Sequence, residues 1–222
     1  MQRLDAIVEK ARERARFRIA ALRLEHPGQD EVALGRRLVA SMALRAGFLG
    51  AATGTLSLVA LPVGLPAGVA ISLLLEAELI FALLELYEVD TGGEQGQLKL
   101  YALWAGAGFA DAAKSVGLRA GATAVGRVLR GSLPGRIIRR LNPVLWKAIL
   151  RRLGLDWLPR AAKFWPVLGA PIGFALDRAA LRALGDATLA TLDDAARARR
   201  RARPRVRRTG RRTVRVRVAR GR

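Results

Sequence analysis

The chain has no cysteine and a single histidine, and only 5% of its 222 residues are aromatic. Without cysteine there is no disulfide framework, no thiolate metal site and no cysteine nucleophile. One histidine excludes a two-histidine metal site and leaves any Ser-His-Asp arrangement dependent on His26 alone. His26 precedes Pro27-Gly28 and reads more simply as a helix-end residue beside a turn. Acidic residues are also scarce, 18 against 39 Lys+Arg, for a formal net charge of +21. The composition points away from catalysis: no catalytic residue, cofactor, metal site or small-molecule substrate is identifiable.

What is present is apolar mass and unevenly placed charge. Hydrophobic residues make up 51% of the chain, too many for wholesale disorder and enough for one sizeable core. From Arg197 to Arg222 stand 14 arginines and no acid. Glu76 to Asp111 carries seven acids against Lys99, whereas Lys114 to Arg182 carries 14 bases against Asp156 and Asp177. The middle is therefore acidic, the second half basic and the end polycationic.

No segment of the body alternates with period two, so the expected fold class is all-α. A helix is predicted over residues 2–25, where Leu4, Ile7, Val8, Ala11, Ala15, Ile19 and Leu22 recur at steps of three and four. His26-Pro27-Gly28 ends it, and Asp30 is placed to cap the next. Ala46 to Leu75 is free of charge for 30 residues, but Pro62 to Gly68 is expected to break it into a helical hairpin. Its arms, about 16 and 19 residues, are short against the ~20 a bilayer requires, and Glu76 and Glu78 would sit near mid-membrane at about 2.5–3.5 kcal/mol each. A core hairpin, or one shallowly embedded, is preferred to a spanning one. Residues 94–130 read as helical again, rich in small residues. Gly50/Gly54, Gly64/Gly68, Gly117/Gly121 and Gly169/Gly173 share a four-residue spacing suited to close helix packing.

Glu76 and Glu78, two apart on a helix, point about 200° from each other and form no pair of their own. Either is a candidate buried acid, expected to meet a basic partner from the second half of the chain. Residues 136–152 carry Arg139, Arg140, Lys147, Arg151 and Arg152 opposite Ile137, Ile138, Leu141, Leu145, Trp146, Ile149 and Leu150. With Trp146 and Trp157 at the boundary, this fits a helix on an anionic membrane surface, or an ordinary surface helix of a basic protein. In the tail, Arg205, Arg207, Arg208, Arg211, Arg212, Arg215 and Arg217 are candidate polyanion contacts, disordered until a polyanion is met.

Two turns are alike: Pro62-Val63-Gly64-Leu65-Pro66-Ala67-Gly68 and Pro166-Val167-Leu168-Gly169-Ala170-Pro171-Ile172-Gly173 each lead into an apolar helix. With Gly50-Ala51-Ala52-Thr53-Gly54 and the helix from Glu76 to Tyr87, these stretches resemble the EcsC-like family of bacterial proteins over roughly residues 30–190. The family usually shows an Asp in that helix and Tyr-Gly at its end. Here Glu76 or Glu78 stands nearest the Asp, and Tyr87 is followed by Glu88. The resemblance implies a helical, hydrophobic, membrane-associated protein with no established catalysis, and supplies no catalytic residue.

The expectation is thus a helical bundle over residues 1–196, built on apolar Gly/Ala-rich hairpins, with a polycationic tail over 197–222. Its expected partners are anionic membrane lipids, with non-specific nucleic-acid binding through the tail as the alternative. Acids stand where a secretory signal's apolar region would begin, which makes the cytoplasm or the inner face of the inner membrane the expected location.

Overall fold

The structure, a computed structural model, describes residues 2–56, 61–106 and 169–202 together with individual positions between 109 and 145. Its long elements are α1 (Gln2–Glu25), α2 (Glu31–Leu56), α3 (Leu61–Leu86), α4 (Gly93–Ala105) and α5 (Gly169–Ala202). Among the described residues there is no strand, and the fold is an all-α bundle.

Helix α1 has the predicted bounds. Val8, Ala11, Ala15 and Ile19 are buried along its predicted stripe, and Leu22 packs against the core. The chain turns at Gly28, whose φ of 84° is open to glycine at no steric cost. Asp30 caps α2, its Oδ1 accepting the Ala33 amide at 2.7 Å.

Helix α3 is the axis of the bundle, touched by α1, α2, α4 and α5. Every residue from Ala77 to Leu84 is buried, which a helix surrounded by others requires. Each large apolar side chain so placed contributes about 1.5–3 kcal/mol relative to exposure.

The expected break at Pro62–Gly68 is not there. Helix α3 starts at Leu61 and runs through both prolines. Pro62 lies in the first turn, where its missing N–H would have no helical partner anyway, and Pro66 forgoes a single bond in the second. The later motif behaves similarly, with Pro171 inside the first turn of α5. The segment read as helical from 94 is broken early, because Gly106 ends α4 with φ 52°.

Helices α2 and α5 pack antiparallel and make the most extensive pairing in the bundle. A Cβ built on Gly50 would fall 2.5 Å from the Gly173 carbonyl oxygen, and one on Gly173 would fall 2.5 Å from that of Gly50. Further along, Gly185 faces Val39 and Gly35 faces Leu189. The expectation of close packing at Gly50 and Gly173 is met, between two helices distant in sequence. Helix α5 also carries Arg197, Arg199, Arg200 and Arg201, so the basic run begins inside a helix that ends at Ala202. Residues 203–222, with the candidate polyanion contacts Arg205 to Arg217, lie outside the described residues.

Candidate functional site

The acids of α3 diverge as their spacing requires. Glu78 is 1% exposed and meets Arg18 of α1, whose Nε and Nη2 both lie 2.7 Å from Oε1. Glu76 is half-buried and accepts the Trp104 indole N–H of α4 at 2.5 Å. Glu85 accepts Thr91 Oγ1 at 2.5 Å and sits 3.3 Å from Arg16 Nε. The partner of the buried acid therefore comes from the first helix and not from the second half of the chain. The basic residues of α1 are simply nearer, because α1 lies along α3. Arg12 stacks over the Phe81 ring at 5.4 Å, and Arg23 donates to the Leu86 carbonyl at 3.3 Å. The three carboxylates tie α3 to α1, through Arg16 and Arg18, and to α4, through Trp104, with Thr91 of the connecting loop as a further donor.

Two other polar groups stand out, Lys99, which is buried, and Tyr87, which is partly buried. Lys99 donates to the Asp90 carbonyl at 2.7 Å, and burial pushes its pKa down. The Tyr87 hydroxyl donates to the Asp193 carboxylate, and burial together with that acid pushes its pKa up. Among the described residues no group of His, Asp or Glu is arranged to hold a metal ion.

The open groove between α1 and α2 differs from these in character. It measures about 1040 Å³. Helix α1 contributes Arg14, Phe17, Arg18 and Ala21, at spacings that share one face; α2 contributes Arg37, Ala40, Ser41, Leu44 and Arg45 likewise. Glu78 and Arg18 lie at its base, Glu25 and His26 at one end, and Arg178 of α5 on the far side. Five arginines thus face two glutamates, one of which is already paired with Arg18. Arg37 donates to Gln29 at 3.0 Å. Arg14 and Arg45 have no ion-pair or hydrogen-bond partner among the described residues.

Large apolar side chains rim this groove. Phe17 is 71% exposed and Leu44 is also exposed. One turn beyond Leu44, Phe48 is 63% exposed and meets Phe174 edge-on at 5.4 Å, and Arg178 stacks over Phe174 at 5.9 Å. Apolar and cationic groups alternate across a face shared by three helices. What this arrangement can do is bind something both anionic and apolar.

The residues singled out from sequence fall elsewhere. Arg140 is exposed, whereas Arg139, Trp146, Lys147, Arg151, Arg152 and Trp157 lie outside the described residues. Of the apolar side chains of that segment that are described, Ile138, Leu141 and Leu145 are buried in the core, whereas Ile137 and Val144 are partly buried. Phe17, Leu44, Phe48 and the groove arginines were not anticipated. A signal existed: Phe17 lies off the α1 stripe, and Leu44 and Phe48 flank Arg45 at a four-residue spacing.

No family model, curated protein or solved structure matches the chain. Among the described residues no helix is long and apolar enough to cross a membrane.

Proposed function

We propose that this is a non-catalytic helical protein, of the kind the EcsC-like resemblance implies, that associates with the cytoplasmic face of an anionic membrane. The observation that supports it is the shared face of exposed Phe17, Leu44 and Phe48 with Arg14, Arg37, Arg45 and Arg178. Single exposed apolar residues are ordinary on any protein. Large ones interleaved with arginine are the composition of surfaces that lie in a lipid interface, hydrocarbon inward and guanidinium at the headgroups. The arginine-rich run from Arg197 adds attraction of about 1 kcal/mol per basic residue near an anionic leaflet.

Co-sedimentation with phosphatidylcholine vesicles, with and without phosphatidylglycerol, tests the proposal. Binding to the anionic vesicles, part of which persists at high salt, is the expected result. The competing reading is a non-specific nucleic-acid binder acting through its 14 clustered arginines. It requires duplex affinity that collapses with salt, at a slope of about 0.9 per phosphate neutralised, and no salt-resistant vesicle binding.

A further inference from the structure

We infer that the groove between α1 and α2 is a binding site for the glycerophosphate headgroup of an anionic phospholipid, with Arg14 and Arg45 as its phosphate ligands. The inference rests on the membrane reading and goes beyond it, from attraction to a charged surface to a single saturable site. Its first support is charge. Arg18 is committed to Glu78 and Arg37 to Gln29, while Arg14 and Arg45 line the same groove from opposite helices with no partner among the described residues. Guanidinium groups offer parallel N–H donors that match a pair of phosphate oxygens, a geometry that a single chloride cannot satisfy.

The second support is the lining. A site for a bare anion would be polar throughout, yet Phe17, Leu22, Leu38 and Leu44 line this one beside the arginines. A volume of about 1040 Å³ is far larger than a phosphate and accommodates a glycerophosphate with the first carbons of its acyl chains. Phe17 and Leu44 stand exposed at the edge, where the chains would leave the groove for the bilayer, and Phe48 continues the same apolar face. A nucleic-acid duplex fits this groove less well, because its arginines, among the described residues, surround a pocket.

The test uses the full chain and two double variants, each with its circular dichroism and thermal midpoint checked. Arg14→Gln/Arg45→Gln empties the groove of its uncommitted charge. Arg36→Gln/Arg182→Gln removes the same charge from exposed positions outside both the groove and the arginine run. Each protein is titrated with dihexanoyl-phosphatidylglycerol below its micellar concentration, with inorganic phosphate, and with phosphatidylglycerol vesicles at about 0.5 M salt, where the Debye length shrinks to about 4 Å. The expected result is one-to-one saturable binding of the short-chain lipid by the wild type and weaker binding of phosphate. The groove variant should lose at least about tenfold in lipid affinity, as removal of charge-assisted contacts predicts, while the outer variant stays at the wild-type level. Vesicle binding by the wild type that is equal in both variants, or no saturable binding of the monomeric lipid, overturns the groove site while leaving the membrane reading standing. Phosphate binding as tight as the lipid overturns the lipid assignment. A wild type that ignores anionic vesicles altogether overturns both.

Discussion

At the scale of single residues, the most constrained group is Glu78. Its carboxylate is shut away from water and held by two nitrogens of Arg18, which itself keeps 28% exposure. The two halves of this pair are unequal under substitution. Arg18→Met leaves a buried carboxylate with no cation, a situation that costs about 3–5 kcal/mol. Glu78→Gln leaves an arginine that can reach solvent and an amide that can still accept its hydrogen bond, so a smaller loss is expected. Chemical denaturation of both variants checks the order; equal losses would mean the carboxylate is better hydrated than its burial indicates. Tyr87 supplies a prediction in pH. Its pKa is raised above 10.0, first by burial, then by the hydrogen bond and charge of Asp193, then by the charges of Glu31 and Asp30. A raised pKa means the folded state retains a proton that the unfolded state releases, so stability is intact below 10.0 and falls as pH rises through the higher folded value. Tyr87→Phe should therefore start about 1 kcal/mol less stable at neutral pH and show a flatter alkaline decline. Lys99, whose lowered pKa gives the opposite slope, is common to both proteins and cancels in the comparison.

At the scale of elements, the α2–α5 seam has no room at Gly50 and Gly173. Each faces the other's carbonyl, which is backbone and cannot rotate aside. Gly173→Ala is expected to lose about 1–3 kcal/mol through overpacking, and Gly173→Val more. Gly28→Ala in the α1–α2 turn would meet no atom within 4 Å and suffers only from its φ of 84°. Urea denaturation of Gly173→Ala and Gly28→Ala separates steric from conformational cost. The seam also shows how far elements could be read from the chain. Residues 2–25 were legible as a helix because their 3.6-residue stripe and their stop both lie within the segment. Asp30 was legible because a cap acts on amides three residues away. The prolines at 62, 66 and 171 misled because a proline in the first turns of a helix leaves the same letters as one that breaks it. The pairing of Glu78 with Arg18 was not legible at all. Which cation meets a buried acid depends on which helix packs alongside, and periodicity carries no information about that choice. The groove was hidden for the same reason: its two walls are each amphipathic faces, and only their juxtaposition makes a site.

At the scale of the whole molecule, the question is where the folded body ends and what the polycationic run adds to it. The sequence invites a division at Arg197, but α5 continues to Ala202, Ala195 is buried, and Arg199 donates to the Leu129 carbonyl at 2.9 Å. Two truncations therefore differ in kind. Removal of residues 203–222 deletes ten of the 14 clustered arginines and should leave the thermal midpoint unchanged. Removal from Arg197 also takes the last turns of α5, including the Arg199 contact, and should lower the midpoint by the few degrees that about 1 kcal/mol represents in a domain of this size. Vesicle binding then assigns the two charge systems. The run beyond Ala202 acts over distance and is screened within about 8 Å at physiological ionic strength, so its contribution should vanish at high salt. Phe17, Leu44 and Phe48 act by removing apolar surface from water, worth about 25 cal/mol per Å2 whatever the ionic strength. The chain ending at Ala202 is accordingly expected to bind anionic vesicles more weakly than the full chain at low salt and equally at high salt. If the two still differ at high salt, the run beyond Ala202 enters the bilayer itself. If the shorter chain fails to bind under either condition, the apolar rim of the groove has no role at a membrane.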